Sequence, residues 1–142
     1  MAKVKRSITV NTRVEKVYSY LRYPENQLEW LPSVTDIQDV HGYGVGQRFR
    51  WTYKMMGILL KGVGEVIEDI PNQRCVIKTT GGILSTWTWT FKPENMGTMI
   101  NLVIEYKIPV PVIGKVGERL VLRQNEREAE LAMANLKDRL EG

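Results

Sequence analysis

Large apolar residues occupy every second position in several runs of this chain, and near its C-terminal end the alternation gives way to a helical pattern. Period-two spacing places each set on one face of a β-strand. The three most aromatic sets are Phe49, Trp51 and Tyr53; Trp87, Trp89 and Phe91; and Ile100, Leu102, Ile104 and Tyr106. The pattern therefore predicts a sheet with one apolar face, which is either packed solid or borders a pocket.

Turn signals divide the chain into seven predicted strands and three predicted helices. Residues 13–21 carry apolar side chains at helical spacing, and Thr12 and Glu15 have the spacing of a capping box. Pro24 favours a second short helix that extends to about Glu29. The predicted strands are about 3–10, 34–40, 47–56, 58–70, 74–80, 83–92 and 98–108, and a long helix covers roughly 112–140.

The order of these elements predicts the fold class. Strands that are grouped apart from the helices and joined by short turns indicate an antiparallel sheet in an α+β domain. The long helix repeats apolar residues at Ala129, Met133, Leu136 and Leu140, so we expect it to cover the apolar face of the sheet. Because no repeat or linker interrupts the pattern, residues 1–142 are expected to form a single domain.

Composition and charge narrow the classes of partner. Of the 142 residues 43% are hydrophobic and 25% charged, as in soluble globular proteins, and the net charge is +4. The basic residues are scattered rather than clustered, which disfavours a nucleic-acid partner. Arg123 and Arg127 lie three residues before Glu126 and Glu130, so we expect helix-surface ion pairs between them.

The hydrophobic pattern of the sequence shows no signal segment and no membrane span. The N-terminal residues contain no apolar signal segment, and no apolar run approaches the ~20 residues of a membrane span. We therefore expect a cytoplasmic protein without stable membrane insertion.

Few residues offer catalytic or metal chemistry. Cys75 is the single cysteine and lies in an apolar run, which favours a small buried hydrophobe over a nucleophile. His41 is the single histidine and follows no zinc-binding spacing, so we expect an exposed turn residue and no metal or other cofactor. Glu65 and Glu105 fall on the strand faces opposite the apolar sets, where exposed charge is expected.

The aromatic faces are the strongest candidates for function. Four tryptophans and six tyrosines make a solid core difficult, because a buried N–H or O–H needs a hydrogen-bond partner. Gly62 and Gly64 share one strand face, where missing side chains leave space or allow close backbone approach. Six methionines supply adaptable walls. On these grounds alone a solid core and a cavity remain about equally open.

Several segments, taken in order, resemble the START-like, Bet v 1-like superfamily, and in particular the group named polyketide cyclase/dehydrase and lipid transport. They are ITVNTRVEKVY at 8–18, PE at 24–25, WLPSV at 30–34, GVGQRF at 44–49, WTWTF at 87–91, GT at 97–98, EY at 105–106 with PVP at 109–111, and NLKDRLE at 135–141. The resemblance implies a helix-grip fold, in which a seven-stranded antiparallel sheet curves around a long C-terminal helix. Two short helices follow the first strand.

The resemblance also implies a ligand cavity between sheet and helix. The lining residues that it implies are Trp51, Tyr53, Met55, Trp87, Trp89, Phe91, Leu102, Ile104, Tyr106 and Met133. The leading hypothesis is binding or transport of a hydrophobic small molecule such as a lipid, isoprenoid or polyketide-like compound, by a monomer or homodimer. The alternative is a cyclase/dehydrase-type enzyme, which requires an ionisable group inside the cavity. A third hypothesis is a basic surface that docks to anionic membranes.

Overall fold

The computed structural model describes residues 2–107 and 114–142. The predicted turn at 109–111 and the predicted helix start at 112–113 lie outside the described residues. The elements are β1 (Ala2–Val10), α1 (Val14–Leu21), a 3₁₀ turn (Pro24–Asn26), α2 (Gln27–Trp30), β2 (Val34–His41), β3 (Arg48–Met55), β4 (Ile58–Ile70), β5 (Arg74–Gly81), β6 (Leu84–Glu94), β7 (Gly97–Lys107) and α3 (Lys115–Glu141).

The seven strands form one antiparallel sheet in the order β1-β7-β6-β5-β4-β3-β2. Hairpins connect β2 through β7, and β1 joins the sheet beside β7 because the two short helices carry the chain from one edge strand to the other. The predicted α+β helix-grip fold is confirmed. Among the described residues, none of the helices is long and apolar enough to cross a membrane.

Helix α3 covers the apolar face and packs against β1 and α2. Its buried stripe contains Ala132, Met133, Leu136 and Leu140, of which Leu136 is fully buried. Full burial of a leucine or methionine side chain contributes about 1.5–3 kcal/mol. This stripe anchors the C-terminal half of α3 on the sheet, as its helical periodicity predicts.

The predicted capping box does not form. The N-cap of α1 is Arg13, and no side chain caps the helix. Thr12 Oγ1 instead donates a hydrogen bond of 2.8 Å to the backbone oxygen of Leu140, and Thr98 Oγ1 donates one of 2.7 Å to the backbone oxygen of Thr12. Thr12 thus supplies a donor to the last turn of α3, where backbone carbonyls lack helical partners.

The charged face of α3 also differs from the expectation. Glu126 and Glu130 do not pair with the exposed Arg123 and Arg127; both lie near Arg6 of β1, with N–O distances of 2.5 Å and 3.8 Å. A rule based on spacing within one helix cannot anticipate a cation that the sheet brings from more than a hundred residues away. These ion pairs fix α3 to the edge strand.

The paired glycines of β4 allow close approach and leave no gap. Gly62 lies opposite Trp51 in the β3–β4 register, and Gly64 lies opposite Phe49. A Cβ atom on Gly62 would lie 2.3 Å from a Trp51 ring carbon, and one on Gly64 would lie 2.4 Å from the Phe49 ring. The two aromatic rings therefore lie across β4, which sets the position of Trp51 in the site described next.

Candidate functional site

A cavity of about 110 Å³ lies between the sheet and helices α2 and α3. Its sheet wall comes mainly from the inward-facing residues of β3, β5, β6 and β7. An apolar cavity of roughly 150 Å³ accepts a benzene-sized ligand. At about 110 Å³ the cavity is somewhat smaller, so as it stands it has room for a single-ring group at most.

Seven of the ten residues that the resemblance implied as cavity lining surround this space. They are Trp51, Tyr53, Met55, Trp87, Trp89, Ile104 and Tyr106. Their contact with a ligand stays a prediction.

The other three implied residues lie elsewhere in the core. Leu102 and Met133 are buried in the packed core, and Phe91 borders a second, smaller cavity. The Phe91 ring stacks parallel to Trp89 and meets the edge of Tyr18, with ring centroids 6.4 and 6.2 Å away. Phe91 therefore lines the smaller cavity and is not among the described lining residues of the main one.

The pattern of the sequence did not identify several lining residues. Those that it left out include Val4, Leu21, Gln27, Trp30, Leu31, Val34, Phe49, Ile77, Thr79, Ile83, Ser85, Asn125, Glu128 and Ala129. Trp30 of α2 packs edge-on against Trp89, with ring centroids 5.7 Å apart. Glu128 is the most consequential omission, because it is a carboxylate. A signal for it exists, since Glu128 lies seven residues after the buried Val121 and four before the buried Ala132.

Both carboxylate oxygens of Glu128 accept hydrogen bonds at the cavity wall. The backbone N–H of Ser33 donates to Oε1 at 2.9 Å, and the Tyr53 hydroxyl donates to Oε2 at 2.5 Å. These bonds connect α3 to the segment between α2 and β2 and to β3. An ionised carboxylate accepts at about four lone-pair positions, so Glu128 retains capacity for a further donor.

The two cavity tyrosines both have raised pKa values. Burial is the main cause for Tyr53, followed by the negative charge of Glu128 and the hydrogen bond to it. Burial also raises the pKa of Tyr106, while the neighbouring Asn125 side chain partly opposes the rise. Both hydroxyls therefore stay protonated at neutral pH and remain available as donors.

Two buried polar atoms, on residues that line the cavity, have no hydrogen-bond partner among the residues that the structure describes. They are Trp51 Nε1 and Tyr106 Oη, on residues that are only 6% and 4% exposed. The Asn125 side chain lies near the Tyr106 hydroxyl and partly opposes the rise in its pKa, but the two groups are not in hydrogen-bonding geometry. By contrast, Trp87 Nε1 donates to Ser85 Oγ at 3.1 Å. A buried unsatisfied polar group costs about 1–3 kcal/mol.

The smaller cavity, of about 30 Å³, lies between α1, β4 and β5. The Tyr18 hydroxyl donates to Asp69 beside it. Burial, aided by the charges of Asp69 and Glu68, raises the pKa of the Cys75 thiol to about 12. Cys75 is therefore a protonated thiol at neutral pH, in keeping with its predicted role as a small hydrophobe.

The remaining candidates lie outside the cavities. Glu65 pairs with Arg48 on the outer face at 3.4 Å, and Glu105 and His41 are exposed, His41 as the last residue of β2. Over residues 2–107 and 114–142, no group of three histidine, cysteine, aspartate or glutamate residues is placed to hold a metal ion.

Comparison with known proteins gives one family and many similar structures. The sequence profile described as polyketide cyclase/dehydrase and lipid transport matches residues 1–141. No curated protein matches the sequence closely enough to count as a relative.

Among solved structures, TTHA0849 from Thermus thermophilus is 25% identical, with a TM-score of 0.84 over 98% of this chain and 97% of that one. The Aha1 dimer from Colwellia psychrerythraea is 17% identical, with a TM-score of 0.65 over 99% of this chain and 97% of that one. Ara h 8.0201 is 12% identical, with a TM-score of 0.67 over 98% and 97%. At these low identities, the last two comparisons show a shared fold and nothing more.

Proposed function

Because the chain belongs to the polyketide cyclase/dehydrase and lipid transport family, we propose that it binds a hydrophobic small molecule in the cavity between the sheet and α3. The ligand's apolar part contacts the aromatic wall, and its polar group lies near Tyr53, Tyr106 and Glu128. Residues 1–142 act in this proposal as one cytoplasmic ligand-binding domain, as a monomer or a homodimer. It needs no cofactor.

The observation that carries the proposal is the pair of unpartnered polar atoms, on Trp51 and Tyr106, among the mostly apolar residues that line the cavity. Within the described part of the chain, Trp51 Nε1 and Tyr106 Oη are buried without partners, although their neighbour Trp87 is satisfied within the protein. A solid core normally pairs such groups. Unpaired groups on a cavity wall are typical of a binding site, where a few polar groups orient an otherwise apolar ligand.

Apolar contact supplies most of the affinity in this proposal. Burying about 100 Å² of apolar ligand surface contributes roughly 2.5 kcal/mol. A hydrogen bond to Trp51 or Tyr106 adds to this and removes the cost of the unsatisfied group. The aromatic wall therefore sets affinity, and the polar groups set orientation.

The proposal is tested by native mass spectrometry of the purified protein after incubation with a lipid extract and with single-ring aromatic compounds. Non-covalent adducts are expected for the wild type. Ala129 of α3 lines the cavity, so Ala129→Phe should fill the space and abolish the adducts. Ala134→Phe, at an exposed position on the same helix, is the matched control and should retain them. A wild type without adducts, or equal adducts in both variants, would contradict the proposal.

The cyclase/dehydrase alternative gains support from one observation. Glu128 lies inside the cavity with the Tyr53 hydroxyl hydrogen-bonded to it, and a carboxylate within hydrogen-bond reach of a ligand can act as a general base. In that reading, Glu128 removes a proton next to a ketone of a polyketide-like chain, and the unpartnered donors of Trp51 and Tyr106 stabilise the resulting enolate oxygen. The enolate carbon then forms a bond to a second ketone carbon of the same chain, whose oxygen takes up the proton from Glu128. Elimination of that hydroxyl with a neighbouring proton releases water.

This alternative is tested with a short poly-β-ketone substrate, followed by mass spectrometry for loss of water. An enzyme gives turnover that falls by about 10²-fold or more in Glu128→Gln. A binding protein gives bound, unchanged substrate in both proteins.

A further inference from the structure

The polar groups of the main cavity are divided into two kinds. Glu128 is an acceptor that already receives two hydrogen bonds, whereas Trp51 Nε1 and Tyr106 Oη are donors without partners in the described ranges. We infer that the cavity selects uncharged, ring-sized ligands that carry both a hydrogen-bond donor and a carbonyl-type acceptor, and that Glu128 excludes carboxylates. This inference rests on the proposed function and names the chemical class of its ligand.

The exclusion of carboxylates follows from the charges that face the cavity. Among the described lining residues, Glu128 is the one charged side chain, and no lysine or arginine accompanies it. Arg6 of β1 is not among the described lining residues, and it pairs with Glu126 and Glu130. A ligand carboxylate would place a second negative charge in the same weakly solvated space, and like charges in such surroundings repel strongly.

The requirement for a donor on the ligand follows from the hydrogen bonds of Glu128. Ser33 N–H and the Tyr53 hydroxyl occupy one position on each oxygen. The remaining lone pairs can be satisfied by a ligand O–H or N–H.

The requirement for an acceptor follows from the opposite kind of group. The indole N–H of Trp51 can only donate, and the raised pKa of Tyr106 keeps its hydroxyl protonated. A neutral amide or hydroxy-ketone meets both demands with one functional group or two adjacent ones. A hydrocarbon meets neither demand, and a carboxylate meets only that of Trp51 and Tyr106.

The test compares benzamide with benzoate, which have nearly the same shape and differ in charge. Their affinities are measured by calorimetric titration near neutral pH on the wild type, Glu128→Gln and the control Glu130→Gln. Glu130 is on the outer side of the same helix and pairs with Arg6, so its variant changes net charge equally. The wild type should bind benzamide at least about tenfold more tightly than benzoate.

Glu128→Gln should reduce the preference for benzamide over benzoate to about threefold or less, mainly because benzoate binds more tightly. Glu130→Gln should show the same preference as the wild type. Glu128→Asp retains the charge and should keep the rejection of benzoate. Equal binding of the two ligands by the wild type overturns the inference even if no variant folds. A ratio that persists in Glu128→Gln overturns the role of Glu128.

Failure of the inference can be told apart from failure of the proposed function. If neither ring compound binds but native mass spectrometry still detects apolar adducts that Ala129→Phe removes, the inferred ligand class is wrong and the binding cavity stands. If neither ring compounds nor lipids bind, both are wrong.

Discussion

The Tyr53 hydroxyl donates a hydrogen bond of 2.5 Å to Glu128, which lies 75 residues further along the chain. This bond joins β3, the strand next to the β2 edge of the sheet, to the long helix at the cavity. The backbone N–H of Ser33 holds the other oxygen of the same carboxylate at 2.9 Å. One side chain of α3 therefore fixes the helix to two separate segments and also supplies the charge in the site.

Tyr53→Phe should destabilise the protein. The substitution removes a donor to a half-buried carboxylate while keeping the ring, and hydrogen bonds to charged groups contribute about 1.5–3 kcal/mol. We expect the free energy of unfolding, measured by urea denaturation, to fall by about 1–2 kcal/mol.

Tyr20→Phe is the matched control for this change. Tyr20 donates to Glu29 at 2.7 Å, but that pair is exposed. Exposed pairs are worth about 0–1 kcal/mol, so the loss should be smaller. A Tyr53→Phe variant no less stable than Tyr20→Phe would show that the bond to Glu128 does not hold α3 in place.

Tyr106→Phe should weaken ligand binding without lowering the stability of the protein. Its hydroxyl is buried without a partner among the described residues, so its removal relieves a desolvation cost, and we expect unchanged stability or a gain of up to about 1 kcal/mol. Because a ligand acceptor would use this hydroxyl, the affinity for benzamide should fall about three- to tenfold. Chemical denaturation and calorimetric titration of the same preparation measure both. A clear loss of stability would mean that the hydroxyl has a partner within the protein.

Gly62→Ala should be strongly destabilising, because the new Cβ would lie 2.1 Å from the Thr80 backbone oxygen and 2.3 Å from Trp51. We expect a loss of about 3 kcal/mol, at the upper end of overpacking. Gly57→Ala is a useful comparison, since its Cβ meets no described atom within 4 Å and its φ of +78° carries only backbone strain. That strain costs about 1 kcal/mol. Similar melting temperatures for the two variants would refute the close packing of Trp51 on β4.

We expect the free energy of unfolding to fall in mildly alkaline solution, because the Cys75 thiol ionises more easily in the unfolded chain than in the folded protein. Its pKa is raised from 9.0 to about 12 in the folded protein. Between these values the unfolded chain loses the thiol proton and the folded chain keeps it, so unfolding is favoured as pH rises. Well below the unfolded pKa of 9.0 the effect is absent.

The alkaline effect is measured as the free energy of unfolding from about pH 8 to 9.5, where unfolded tyrosine, with a pKa of about 10, is mostly protonated. Cys75→Ala should give a flatter curve than the wild type over this range, whatever its absolute stability. Parallel curves for the two proteins would place the Cys75 pKa near its ordinary value.

The fold followed from local patterns because those patterns are periodic and strong. Period-two runs and turn residues predict seven strands within a few residues of their bounds, and the stripe through Met133 and Leu136 predicts the covering helix. The predicted capping role of Thr12 is wrong because its hydroxyl donates a hydrogen bond to the backbone carbonyl of Leu140, which is distant in the sequence. A spacing rule contains no information about such distant partners.

The site was only partly predictable for the same reason. The alternating aromatic residues of β3 and β6 mark the sheet wall, but α2 and α3 complete the cavity, and their lining residues depend on how the helices dock. Glu128 lies among charged neighbours that face solvent, so the local composition suggests an exposed residue. Its helical phase relative to Val121 and Ala132 is the one signal that indicates the cavity.

The most direct test of ligand binding in this cavity follows the indole N–H resonances of the wild-type protein by NMR during titration with benzamide, with the Trp51 signal assigned from Trp51→Phe. We expect a large, saturable shift of the Trp51 signal, because its N–H gains an acceptor. The Trp87 signal should move less, since its N–H already bonds Ser85. Ala129→Phe should abolish the Trp51 shift. A Trp51 signal that stays in place at saturation, or that moves equally in Ala129→Phe, would contradict a ligand site in this cavity.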